Sequence, residues 1–152
     1  MTRYETLMAE YDHLIIEEHS MKSDGLYGDG CIWINKNMTT AEKRCILAEE
    51  LGHHHTTVGD ILDQSDIGNR KQERKARAWA YEKMVPLNSI KQALTVGCRE
   101  PWEMAEYLDV DERFLREALQ YYEEVYGDEL IRQRQEAELR EALQNAGIDV
   151  DE

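Results

Sequence analysis

Residues 48–55, Ala48-Glu49-Glu50-Leu51-Gly52-His53-His54-His55, set two carboxylates and three imidazoles within eight positions. On an α-helix, residues four apart stack on one side, so Glu49 shares a face with His53 and Glu50 with His54. Such acid–imidazole pairs can hold a divalent cation or move a proton. The same spacing also suits two exposed pairs at a helix C-terminus, where histidine complements the dipole. A second segment bears on the choice. Over residues 70–85, Lys71, Arg74, Lys75, Arg77, Glu82 and Lys83 mark a wet side, Ala76, Ala80 and Met84 form an inward stripe, and Glu73 extends that stripe one turn back. A carboxylate on a buried face needs a cationic partner or a metal, and the preceding helix supplies histidine; pairing with an arginine or capping the first turn would also satisfy Glu73.

The order of a small β segment, a Glu-Leu-Gly-His-His helix, an acidic loop, and Glu73-x-x-Ala76-x-x-Trp79-Ala80 ending in Met84-Val85-Pro86 resembles the ImmA/IrrE metallopeptidases. These are zincin-like proteins of phages, integrative elements and bacterial stress regulons, and the resemblance covers roughly residues 1–125. It implies an HExxH-type site, in which two histidines on one helical face hold Zn²⁺, the intervening glutamate is general base, and a downstream helix adds a glutamate ligand. Carried across, Glu50 matches the base, His53 the second histidine ligand and Glu73 the third ligand. Glu49 stands where the first histidine is expected. Its carboxylate can still ligate, giving a Glu49, His53 and Glu73 set beside Glu50. The added anionic ligand weakens the preference for Zn²⁺ and favours harder ions such as Mn²⁺ or Mg²⁺. His54 or His55 could instead add a ligand or donate to an oxyanion, against the 100° turn between successive helical residues. The resemblance also implies a protein substrate, a helix-turn-helix repressor encoded on the same mobile element and cleaved to relieve repression. The departure at Glu49 motivates an alternative: a catalytically silent antirepressor that keeps the fold and binds its partner without cutting it.

Positioning these groups requires an α+β, mostly helical chain, a zincin-like minimal peptidase core with a small β element and a helical C-terminal region. Apolar residues at Leu7, Met8, Tyr11, Leu14 and Ile15 predict a first helix from Tyr4 to about His19. Gly25, Gly28, Gly30 and the run Cys31-Ile32-Trp33-Ile34-Asn35 predict a hairpin or strand pair. Thr39 and Glu42 form a capping box for the motif helix. Residues 56–69 have loop composition, and a third helix runs from about Arg70 until Pro86. Helical stretches follow at 89–96, 102–108 and from Asp111, an N-cap, to about Tyr126, where Gly127-Asp128 is expected to break the chain. The simplest partition is a peptidase domain over residues 1–126, including a helical hairpin over 101–126 that resembles a helix-turn-helix, and an acidic helical tail over 127–152.

The chain has 152 residues and a formal charge of −14, from 18 basic and 32 acidic residues. Such a surface repels phosphate backbones and anionic lipid, and the second helix of the hairpin opens with Asp111 and Glu112, so no nucleic acid or membrane partner is expected. No apolar run approaches the ~20 residues that span a bilayer. Cys31, Cys45 and Cys98 cannot all pair and form no CxxC, which with the absence of an apolar leader predicts a reduced, cytoplasmic protein. Cys45 reads as core, and His13 and His19 as surface residues.

Overall fold

The computed structural model describes residues 1–56 and 66–147; of the loop expected over residues 56–69, positions 57–65 lie outside them. The chain opens with α1 (Arg3–Glu10), whose first turn is closed by a capping box between Thr2 and Glu5. Three short strands follow, β1 (Ile15–His19), β2 (Gly25–Gly28) and β3 (Cys31–Asn35), then α2 (Thr40–Thr56), α3 (Asp66–Met84), α4 (Leu87–Thr95), α5 (Pro101–Leu108) and α6 (Glu112–Asn145).

The first helix therefore stops nine residues short of the expected His19. Residues 15–19 pair in parallel with β3, from Ile15 opposite Cys31 to His19 opposite Asn35. The apolar pair Ile15-Ile16 fitted the helical stripe, but both are β-branched, and ladder hydrogen bonds to a distant strand decide in favour of extended backbone. β2 pairs with β3 antiparallel, so the sheet order is β1-β3-β2 and β2 is an edge. Ile32 and Ile34 of β3 are fully buried while Trp33 between them is exposed, the alternation of a sheet covered on one face.

That covered face rests on α2. The expected capping box is present, with Glu42 N–H donating to Thr39 Oγ1 and Thr39 N–H to Glu42 Oε1. Cys45, Ile46, Leu47, Ala48, Leu51 and Gly52 are all buried, a wider apolar surface than one stripe provides, because α2 packs against both the sheet and α3. On α3 the expected inward residues Ala76, Ala80 and Met84 are buried, and the helix starts at Asp66, four residues earlier than expected. Arg44 on α2 donates to the carbonyls of Leu108 and Asp109, and Arg3 also donates to Leu108. These bonds satisfy the C-terminal carbonyls of α5, where Asp109 adopts a left-handed conformation at φ 55°. Asp111 accepts from the Phe114 N–H as the expected N-cap.

α6 continues through Gly127-Asp128, where a break was expected. A single helical glycine costs only about 1 kcal/mol relative to alanine, too little to break a helix of this length. Two compact units are present, Met1–Ala118 and Leu119–Glu152. The first holds the core residues Ile32, Ile34, Leu47, Leu51, Val85, Phe114 and Leu115. In the second, Tyr122 stacks on Tyr126 at 6.2 Å. No helix among the described residues is long and apolar enough to cross a membrane.

Candidate active site and metal centre

Two glycines let the elements around the motif approach closely. A Cβ on Gly25 of β2 would strike Ile46 and press on Glu50, and a Cβ on Gly52 of α2 would collide with the Ala76 backbone of α3. Only glycine permits these backbones to lie so near one another. The edge strand and the antiparallel helices thereby enclose a cleft of about 450 Å³ lined by Gly25, Leu26, Tyr27, Glu50, His53, Gln72 and Glu73.

Within it, His53 Nε2 stands 3.2 Å from Glu73 Oε1, the imidazole largely covered and the carboxylate about half exposed. Glu73, expected to extend the buried stripe of α3, is half exposed in the cleft, and it meets the expected histidine there. Glu50 lines the same cleft. Burial, followed by the charges of Glu49 and Glu73, pushes its carboxyl up to about 7, because a desolvated carboxylate near other anions gains by keeping its proton.

Glu49 is placed differently. It lines an adjoining cavity of about 250 Å³ with Asp24, Gly25, Ile46, Glu50, Arg77, Arg113 and Glu117. Burial raises its carboxyl to about 7; Arg77 and Arg113 pull it down, and Glu117 and Asp24 push it up. Of the four residues expected to form the site, the structure brings Glu50, His53 and Glu73 to one cleft and sets Glu49 in the next. Among the described residues, no three His, Cys, Asp or Glu side chains are gathered as a ligand set. The His53–Glu73 pair fits two ligands of a divalent ion, one imidazole and one carboxylate from two helices, and the third is not assembled with them.

The other histidines are engaged elsewhere. His54 Nδ1 shares a hydrogen bond with the Tyr27 hydroxyl at 2.9 Å, so it does not pair with Glu50 as helical spacing suggested. His55 Nε2 shares one with the Tyr11 hydroxyl and its ring stacks on Trp79 at 4.6 Å; burial, then His54, His13 and Lys83, lowers its pKa. Cys45 is core, with burial raising its thiol to about 12.

The profile of the Peptidase_M78 family, described as the IrrE N-terminal-like domain, matches residues 5–120. The chain belongs to that family. Membership and the helix–sheet arrangement together establish a metallopeptidase-like fold of the IrrE/ImmA group, and the family suggests a divalent metal. No curated protein matches the chain significantly. Motif helix, downstream glutamate and edge strand line one space. Sequence reasoning missed Gly25, Leu26, Tyr27 and Gln72 as its lining, and Arg77, Arg113 and Glu117 around Glu49. A signal for Arg77 was present: it lies four residues after Glu73, so one helical turn separates them on the same side.

Proposed function

We propose that the chain is a metal-dependent endopeptidase that cleaves a polypeptide held in extended form beside β2. The observation that carries this reading is the meeting of His53 and Glu73, from two helices, at 3.2 Å in the cleft that Glu50 also lines. His53 and Glu73 are the residues that would hold the ion. When bound, the ion supplies Lewis acidity and an acidified water.

The remaining work falls to the chain itself. Glu50 is the general base, and its pKa near 7 suits a carboxyl that must accept a proton and later return it near neutral pH. β2, paired on one side only, offers free backbone donors and acceptors to an incoming strand. Leu26 and Tyr27 flank that strand's path. The substrate we propose is a helix-turn-helix repressor of a mobile element, in a cytoplasmic setting. Its support is the motif resemblance and an acidic chain that suits a basic DNA-binding partner. Zn²⁺ is the ion the family implies, with Mn²⁺ and Mg²⁺ suited to a carboxylate-rich site.

A second reading, a silent antirepressor, is favoured by one observation: Glu49 lies with Arg77 and Arg113 and not with His53. Metal content is measured on protein purified without chelator or nickel column, and repressor is incubated with each ion in turn. Cleavage products that vanish in Glu50→Gln support the peptidase; a stable complex with intact repressor under every ion supports the silent module.

A further inference from the structure

The three consecutive histidines in the last turn of α2 reach three different neighbours, because each step along a helix turns the side chain by about 100°. His53 meets Glu73 of α3. His55 is held by the Tyr11 hydroxyl and the Trp79 ring. His54 turns to the sheet: its Nδ1 and the Tyr27 hydroxyl share a part-buried hydrogen bond of 2.9 Å, and the two rings meet edge to face at 5.6 Å. Neither the ion-holding pair nor the Glu50 base needs that bond.

The strand that carries Tyr27 is short and weakly held. β2 has four residues, pairs with β3 alone and runs straight into a turn where Asp29 and Gly30 take left-handed conformations, φ 49° and 75°. A strand bonded on one side only opens readily unless something else ties it down. Tyr27 lies opposite the fully buried Ile32, so its side chain is on the α2 side of the sheet, while Leu26, opposite exposed Trp33, is on the other side. At the far end of β2, Gly25 lies against Ile46 and Glu50 of α2. The Tyr27–His54 bond is thus a second attachment of the same strand to the same helix.

We propose that His54 is a positioning residue: through the Tyr27 hydroxyl it clamps β2 to the last turn of α2, and so holds the strand beside which a polypeptide would lie at a fixed distance from His53 and Glu73. The Tyr27 ring itself lines the cleft, so the bond fixes a wall of that space as well as its edge strand. Nδ1 can accept from the hydroxyl or donate to it, and the bond therefore forms with either tautomer of the ring. The effect on cleavage rests on the peptidase reading, whereas the clamp does not.

The test compares Tyr27→Phe, His54→Phe and the double variant with the parent. Tyr11→Phe, which strips the matching hydroxyl from His55, is the control. In the metal-free protein, amide exchange over β2 read by NMR should quicken by about fivefold in each single variant and no further in the double, with α3 unchanged. Exchange at the parent rate in His54→Phe, additive effects in the double variant, or equal quickening of β2 in Tyr11→Phe each overturns the clamp. With Zn²⁺ supplied, each single variant should raise KM by about fivefold on the best-cleaved peptide of a proteome-derived library, with kcat within about twofold, since strand addition holds the substrate before reaction. A fall in kcat at constant KM puts the Tyr27 hydroxyl at the reacting atoms and overturns the positioning role. If the parent cleaves no peptide with Zn²⁺, Mn²⁺ or Mg²⁺, only the peptidase reading fails, and amide exchange alone decides the clamp.

Discussion

Glu49 and Glu50 are adjacent in the chain and on the same turn of α2, yet Glu50 lines both the cleft and the adjoining cavity while Glu49 lines the cavity alone. Glu50 opens into the cleft with His53 and Glu73; Glu49 sits among Arg77, Arg113 and Glu117. Both carboxyls rise to about 7 with burial as the first cause, but the neighbours differ in sign. Around Glu50 they are carboxylates, which favour a proton and so a base in waiting. Around Glu49 they include two guanidinium groups, which oppose the effect of burial. Two glutamates with the same burial thus acquire different chemistry from the helix opposite.

The largest expected effect sharpens the cleft side of this contrast. Glu50→Gln should lower any cleavage rate by about 10²–10⁴-fold while metal content is unchanged, because a general base contributes to the chemical step and not to holding the ion. Loss of metal in parallel with activity would place Glu50 among the ligands.

Next in size is a change that strikes both spaces at once. Gly52→Ala drives a methyl into the Ala76 backbone and should destabilise the fold by about 1–3 kcal/mol, read as a lower urea midpoint. An unchanged midpoint would mean that α2 and α3 can part freely, and the His53–Glu73 pair would not be coupled to the helix spacing.

A smaller effect tests position 49 directly. Glu49→His should raise zinc affinity, by about tenfold, since an imidazole one turn from His53 is a better zinc donor than a carboxylate. Zn²⁺ titration of the metal-free parent and variant in one buffer measures it. Affinity that stays level would show that the backbone at position 49 is turned too far from the cleft to serve it.

The smallest concerns pH. The folded-state pKa values of Glu49 and Glu50 lie near 7, above the ordinary value of 4.5. Their protonated forms are favoured in the fold, so this contribution to stability is complete below about pH 4.5 and declines as pH rises toward 7. The melting temperature of the metal-free protein should fall over that interval, and Glu50→Gln should flatten part of the fall. A curve unchanged by the substitution would leave Glu50 solvated.

Much of the site could be read from residue spacing. The Thr39–Glu42 capping box, the Asp111 cap, the α+β class and the inward Ala76-Ala80-Met84 stripe each depend on contacts within a few residues or on a strongly periodic face. Local rules determine these, and they held. The misplaced elements share one cause. Ile15 to His19 became a strand because β3, sixteen residues away, supplied a ladder, and α6 crossed Gly127 because its flanks outweighed one glycine.

The chain by itself determined which groups are available: two adjacent glutamates, three histidines, a downstream Glu73, and glycines at the points of closest approach. Only the tertiary structure decided how those groups are divided. A helix fixes the angle between Glu49 and Glu50 but not what stands opposite each, and the sign of the opposing charge comes from α3 and α6 folding back against α2. That long-range packing, absent from any local pattern, brings Glu50 to the cleft and leaves Glu49 in the adjoining cavity.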